Sequence, residues 1–145
     1  GRIFSIITIR NIQFNEPDIW DMRLAFDRLK KEDLNNMTYE QKSALYNSIW
    51  KSLDPTPATE LNETKREFFR RVMYAKELFK GPNEGWETDR GMIFILFGPP
   101  NNILRTSHID YMYPIQIWSY IRDNLRFEFR DLHNSNNYRL TKQIK

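Results

Sequence analysis

Four closely spaced side chains are the best candidates for chemistry: the indole of Trp86, the hydroxyl of Thr88, the carboxylate of Asp89 and the guanidinium of Arg90. A carboxylate beside a hydroxyl and a guanidinium could orient a small substrate in a turn. The turn is bracketed by Gly85 and Gly91. Because glycine has no Cβ, we expect both ends to bend freely. One hypothesis is therefore a ligand-binding or enzymatic site that uses Trp86, Asp89 and Arg90.

The same residues also have a structural interpretation, which we favour. Asp and Thr side chains in tight turns commonly accept hydrogen bonds from nearby backbone amides. Arg90 would then pair with a neighbouring carboxylate, and Trp86 would pack against the helices. Functional carboxylates are also a minority of all carboxylates. We therefore predict that this turn stabilises the fold, and we assign no catalytic residue to it.

An uninterrupted apolar run from Met92 to Phe97 follows the turn and stops at Gly98, Pro99 and Pro100. A short apolar run between glycine and proline is typical of a strand buried on both faces, so we predict a central strand. The Gly-Pro-Pro segment would then end that strand. A phosphate-binding loop is excluded, because proline lacks the amide donor that such a loop needs and no Lys-Ser or Lys-Thr follows.

Together these segments resemble the GWxTD domain, a bacterial family named for Gly-Trp-x-Thr-Asp. The family usually continues with Asp-Arg-Gly, an apolar strand and Gly-Pro-Pro. The resemblance covers roughly Trp50 to Leu140 well, and the earlier predicted helices only loosely. Beyond the motif it rests on Asp54-Pro55-Thr56-Pro57, Glu67 to Ala75, Pro114 to Tyr120 and Leu125 to Phe129.

The resemblance implies little about activity, because the family has no established reaction. Its members look like secreted or periplasmic multidomain proteins of bacteria such as Bacteroidetes, in which the domain follows a β-rich module. It therefore implies an extracytoplasmic location, in the periplasm or at the outer membrane. The family often has Asp after the two prolines and tyrosines in the apolar run. Asn101, Phe94 and Phe97 depart from that pattern and argue against an acid–base role there.

Other chemical sites have weaker support. The two histidines, His108 and His133, are flanked by polar residues and lie far from any carboxylate cluster at ligand spacing, so we predict neither a metal site nor a cofactor. The chain also contains no Gly-x-Ser-x-Gly motif. An enzyme is therefore the less favoured class.

Arginines near aromatic residues raise nucleic-acid binding as a third hypothesis. The arginines are Arg66, Arg70, Arg71, Arg122, Arg126 and Arg130. Acidic residues lie close to these arginines in the sequence and reduce the positive electrostatic potential that would attract a nucleic acid. They are Glu63, Glu67, Glu128 and Asp131. The formal net charge is only +3 and is spread along the chain. We therefore predict a solvated face and no nucleic-acid partner.

A chain of 145 residues is long enough for one hydrophobic core. It has no cysteine, so it forms neither disulfides nor thiolate metal sites. Its apolar runs are too short to cross a bilayer, and we predict no membrane insertion by this segment. Because it begins at Gly1 without Met, we interpret it as a fragment of a longer protein.

Three helices are predicted before the motif. The first runs from Ile19 to about Lys31, where apolar residues recur at helical spacing. The second follows a capping box at Thr38 to Gln41 and ends at Asp54, before a proline. The third runs from Thr59 to Lys80 along an apolar stripe.

A β-hairpin is predicted after the motif. Its strands are Ile115 to Arg122 and Leu125 to Asp131, joined by a two-residue turn at Asp123 and Asn124. Counting outward from that turn gives the register and places only aromatic residues on one face. The predicted pairs are Arg122 with Leu125, Tyr120 with Phe127, and Trp118 with Phe129.

The predicted fold class is α+β: three helices followed by a small, mainly antiparallel sheet of three to four strands, with the helices packed on one aromatic face. Asn101 to Tyr113 is predicted to be a connector, and Tyr138 to Leu140 a short further strand. The domain would span residues 17–140, after an N-terminal strand and connector at 1–16. Residues 141–145 would form a frayed tail.

The segment from Arg2 to Arg10 is rich in β-branched residues and has no hairpin partner nearby. It is either the last strand of a preceding β-rich module or an additional edge strand of this domain's own sheet. We favour the first interpretation, because the connector from Asn11 to Pro17 leads directly into helical sequence and gives no hairpin signal. Its separation from that module would leave an unpaired sheet edge here. The expected function is a non-catalytic structural or protein-interaction module of a bacterial cell-envelope protein. The alternative is a small-ligand-binding or enzymatic domain that uses the Trp86 to Arg90 turn.

Overall fold

The structure is a computed structural model that describes residues 30–81, 85–106 and 112–145. The predicted strand from Arg2 to Arg10 lies outside the described residues, as does nearly all of the helix predicted from Ile19. The described chain divides into two compact units, residues 30–70 and residues 71–145. The first is helical, and the second contains the motif and a β-sheet.

The first unit is helical, and aromatic residues pack its second helix against its third. Its helices are α1 (Lys31–Asn35), α2 (Tyr39–Leu53) and the first half of α3 (Glu63–Leu78). The predicted capping box of α2 is confirmed: Thr38 Oγ1 accepts the Gln41 amide at 3.2 Å, and the Gln41 side chain accepts the Thr38 amide at 2.9 Å. Near the end of α2, the Trp50 ring lies 5.4 Å from Phe68 and 5.8 Å from Phe69.

Helix α3 begins at Glu63, later than the predicted start at Thr59. The reason is the side chain of Asn62, whose Oδ1 accepts the Lys65 amide at 3.1 Å and caps the helix. Its Nδ2 donates to the Trp50 carbonyl at 2.7 Å, which ties this end of α3 to α2. The apolar stripe therefore predicts that a helix is present, whereas the Asn62 cap determines the residue at which it begins.

The prediction of a central strand at Met92 to Phe97 is wrong, because these residues belong to helix α4 (Asp89–Phe97). Thr88 starts the helix, with its Oγ1 accepting the Gly91 amide at 3.0 Å. A short apolar run that is buried on most sides has neither a two-residue period nor a clear helical one, so periodicity cannot distinguish the two structures. The buried apolar residues of the run are consecutive: Ile93, Phe94 and Ile95.

The sheet of the second unit is an antiparallel meander, and the four strands that the structure describes lie in chain order. They are β1 (Asn102–Thr106), β2 (Ile115–Tyr120), β3 (Leu125–Arg130) and β4 (Arg139–Ile144). Strand β1 lies in the predicted connector, and β4 continues through residues that we expected to fray. Both are edge strands with mostly exposed residues, which weakens the strand pattern in the sequence. The predicted α+β class with a small antiparallel sheet is confirmed.

The β2–β3 hairpin has a different register from the predicted one. Trp118 lies opposite Phe127, whereas the predicted partner was Phe129. The turn contains four residues instead of two: the Asn124 amide donates to the Ile121 carbonyl at 3.2 Å, and Asn124 has a φ of 51°. Side chains alternate between the two faces of a strand with a period of two. A register shift of two residues therefore changes every cross-strand pair but leaves each side chain on its predicted face.

The aromatic face of the sheet forms the core of the second unit. Its members are all buried, namely Trp118, Tyr120, Phe127 and Phe129. Phe97 of α4 lies 5.1 Å from the Phe127 ring, and Phe79, just after α3, lies 5.5 Å from the Trp118 ring. Helices therefore pack on the aromatic face, as predicted, and the Phe97 contact holds the end of α4 against the sheet.

Candidate functional site

The motif residues form a 3₁₀ turn, Gly85–Glu87, that leads directly into the first turn of α4. Thr88 joins the two elements. Its Oγ1 donates to the Gly85 carbonyl at 2.7 Å and accepts the Gly91 amide at 3.0 Å. Thr88 is buried, so its hydroxyl uses both its donor and an acceptor position inside the motif.

The two motif glycines allow close packing of backbone segments. A Cβ atom on Gly91 would overlap the Gly85 carbonyl oxygen, and one on Gly85 would overlap the Ala75 carbonyl oxygen in α3. Neither glycine has a left-handed φ angle. The expectation that they act as flexible ends is wrong, because here glycine is needed for its small size.

The carboxylate of Asp89 reaches from the start of α4 to the last strand of the sheet. Its Oδ2 accepts the Leu140 amide at 2.7 Å and lies 3.4 Å from Arg139 Nε. The Asp89 side chain is 18% exposed, whereas that of Arg139 is 61% exposed. A negative charge at this position also stabilises the helix through its dipole. Asp89 therefore connects helix and strand, where the local pattern predicted a contact within the turn.

Arg90 is a buried cation held between two aromatic rings. Only 6% of the residue is exposed, and its guanidinium carbon lies 4.3 Å from the Tyr138 ring centre and 5.1 Å from that of Phe79. Its Nη2 donates to the Asn136 carbonyl at 3.2 Å. Burial lowers the pKa of Arg90, while the nearby Tyr138 and Asp131 oppose that shift. Within the part of the chain that the structure describes, Arg90 makes these cation–π contacts and not the ion pair that we predicted for it.

The Gly98-Pro99-Pro100 segment ends helix α4. Gly98 has a φ of 79°, its amide donates to the Phe94 carbonyl at 2.7 Å, and its carbonyl accepts the Tyr120 hydroxyl at 2.8 Å. Burial raises the pKa of that hydroxyl. Arg71 Nη1 donates to the Ile95 carbonyl at 3.0 Å, which satisfies one of the last carbonyls of the helix. The prediction that this segment ends a strand is corrected accordingly.

A family model of the GWxTD domain matches residues 23–145. The chain belongs to the GWxTD domain family. Neither a curated protein nor a solved structure matches the chain. The residues that give the family its name are those described above, and Trp86 among them is buried.

Asp131 also supports the GWxTD motif, and the sequence analysis missed this role. It is buried, and its two carboxylate oxygens accept the Ser135 amide at 3.0 Å and the Asn136 amide at 2.9 Å. These bonds hold the turn that presents the Asn136 carbonyl to Arg90. The asparagine-rich segment was the available signal, because Asn134 and Asn136 have φ angles of 50° and 62°, which asparagine tolerates better than most residues.

The outer face of the sheet, opposite the aromatic core, carries a second polar cluster. Glu128 Oε2 accepts from Arg130 Nε at 3.0 Å and from Thr141 Oγ1 at 2.8 Å, and Arg130 Nη1 donates to the Tyr113 hydroxyl at 3.0 Å. Partial burial alone would raise the pKa of Glu128, but the hydrogen bonds from Thr141 and Arg130 lower it. The bond to Glu128 in turn raises the pKa of Arg130.

The remaining features to place are the two histidines, possible metal ligands and possible membrane-spanning helices. His133 lies in an exposed turn, and His108 lies outside the described residues. Within the described ranges, no group of three or more His, Cys, Asp or Glu residues could hold a metal ion. Among the described helices, none is long and apolar enough to cross a membrane.

Proposed function

We propose that this GWxTD domain is a non-catalytic structural or protein-interaction module of a bacterial cell-envelope protein. One observation carries the proposal: the polar groups of the motif bond to the fold itself. Thr88 caps α4, Asp89 accepts the Leu140 amide, and Arg90 is buried between two rings. A catalytic or ligand-binding turn needs such groups directed at a substrate. The envelope location rests on the resemblance of family members to secreted and periplasmic proteins.

The edge of the sheet at β1 is the surface that we propose for a protein partner. Within the described residues β1 pairs only with β2, so among those residues the backbone groups on its other side have no strand partner. At the opposite edge, Asp89 already accepts the Leu140 amide of β4. An extended segment could add to β1 through backbone hydrogen bonds. The partner that we propose is the β-rich module that precedes the domain in the family.

The first test of this proposal is the replacement of Asp89 by alanine. The Leu140 amide loses its acceptor and α4 loses a favourable charge, so we expect the free energy of unfolding to fall by about 1–3 kcal/mol. Asp89→Asn should recover part of the loss, because its amide oxygen can still accept the hydrogen bond. Chemical denaturation of the three proteins measures both effects.

Arg139→Ala is the matched control, since it removes the exposed partner of Asp89 and leaves the Leu140 bond in place. We expect this replacement to lower the free energy of unfolding by less than about 1 kcal/mol. The structural role would be contradicted if Asp89→Ala denatured like the parent protein yet abolished a binding or enzymatic signal found by ligand and substrate screening.

The proposed partner predicts how the β-prone segment behaves in this chain. If Arg2 to Arg10 belongs to the preceding module, amides from Ile3 to Ile9 should exchange rapidly with solvent in the dilute monomer. Any protection should grow with protein concentration, as strands pair between molecules. Hydrogen exchange at two concentrations measures this, and the amides of the internal strand β2 provide a protected control. Strong, concentration-independent protection of Ile3 to Ile9 in a monomer would contradict the prediction.

A further inference from the structure

The outer face of the sheet contains an open cavity of about 210 Å³. Ile115 and Ile117 of β2 contribute apolar surface to it, with Leu104 of β1 on one side. Glu128 and Arg130 of β3 form the opposite, polar side, where Ile117 faces Glu128 and Ile115 faces Arg130 across the strands. The cavity therefore places a charged pair beside an apolar surface.

Arg130 has unused hydrogen-bonding capacity at this cavity. Of the five N–H groups of a guanidinium, one donates to Glu128 and one to Tyr113. The others have no acceptor among the described residues, and the side chain is 34% exposed. Because both existing bonds fix the orientation of the guanidinium, a ligand would meet a preorganised planar donor. Such a donor matches a carboxylate, which it can bind through two parallel bonds.

The charge distribution favours an anion over a cation. Glu128 is the less accessible member of the pair, with its side chain 14% exposed, and its Oε2 already accepts two hydrogen bonds. Its other charged neighbours on the sheet are positive, since Lys142 pairs with Glu128 and Arg126 precedes it on β3. The accessible charge at the cavity is therefore that of Arg130.

We propose that this cavity binds a short apolar carboxylate, with the carboxylate on Arg130 and the hydrocarbon chain over Ile115 and Ile117. The proposal goes beyond the structural role of the motif and does not depend on it. A ligand of this chemistry can be a free carboxylic acid or the C-terminal residue of a peptide.

The test is a titration of the 145-residue chain with 4-methylpentanoate, followed by NMR. Saturable shifts should appear at Ile115, Ile117 and Arg130. 4-Methylpentanamide has the same shape without the charge, and we expect it to bind at least about tenfold more weakly. Equal binding of the acid and the amide, or no saturable shift at these residues, would overturn the proposal, and this comparison needs no variant.

Two variants on the same strand and face localise the site. Arg130→Gln should weaken binding of the acid about tenfold or more, whereas Arg126→Gln, outside the cavity, should leave it unchanged. Equal affinities for the two variants would place the ligand elsewhere. The peptide acetyl-Ala-Ala-Leu, compared with the free acid, distinguishes the two sources: tighter binding of the peptide supports a C-terminal residue, and binding of the acid alone supports a small molecule.

Discussion

Replacing Phe127 with alanine should lower the free energy of unfolding by about 3–5 kcal/mol, the range measured for buried aromatic residues. Phe127 is only 1% exposed, and its ring lies 5.1 Å from Phe97 and 5.8 Å from Tyr120. Removal of the ring would leave a cavity where α4 packs on the sheet. Chemical denaturation with a two-state fit measures the loss.

Arg126→Ala is the matched control for Phe127→Ala, because Arg126 precedes Phe127 on β3 and its side chain lies on the exposed, opposite face. Replacing Arg126 with alanine should lower the free energy of unfolding by less than about 1 kcal/mol. If both variants lost the same stability, the assignment of the two faces of β3 would be wrong.

The faces of the hairpin were predictable from the sequence, but its register was not. Alternating residues such as Trp118 and Tyr120 establish a face wherever the turn begins, since the period of a strand is two. The register depends on the length of the turn, and Asp123 and Asn124 suit both a two-residue loop and the end of a longer one. Asn124 has a left-handed φ angle of 51°, but it is the last residue of a four-residue turn and not part of a two-residue loop.

Helix boundaries were predictable where the capping side chains lie next to the helix. Thr38 and Gln41 are three residues apart, and their reciprocal bonds are as predicted. Thr88 caps α4 through Gly91 at the same spacing, but the apolar run that follows favoured a strand. A hydroxyl three residues before a glycine is a weak signal beside six consecutive apolar residues. Because most of this helix is buried, its sequence lacks the helical spacing of apolar residues that would have identified it.

The contacts that define the candidate site lie between distant parts of the chain. Asp89 bonds to Leu140 across 51 residues, and Arg90 bonds to Asn136 across 46. Local patterns identify Asp89 and Arg90 as unusual, and the structural interpretation followed from their residue types. Their partners depend on how α4 lies against the end of the sheet, which a single sequence does not specify.

Gly91→Ala should be among the most destabilising single substitutions in the GWxTD motif. The added methyl group would overlap the Gly85 carbonyl oxygen, and it would also lie 2.9 Å from the Trp86 Cα. Both neighbours are backbone atoms, so a change of side-chain rotamer cannot relieve the overlap. We expect a loss of about 3 kcal/mol or more, at the upper end of the cost of overpacking, measured as a lower denaturation midpoint.

Gly81→Ala is the control for Gly91→Ala. Among the described residues, the nearest atom to a new Cβ at Gly81 would be the Asn136 carbonyl oxygen, at 3.6 Å, an ordinary contact distance. The φ angle of Gly81 is also compatible with alanine, so its stability should change by less than about 0.5 kcal/mol. If Gly91→Ala were as well tolerated as Gly81→Ala, the backbones of the 3₁₀ turn and α4 would not be in close contact. Thr88 could not then bridge Gly85 and Gly91, and the structural role of the motif would lose its basis.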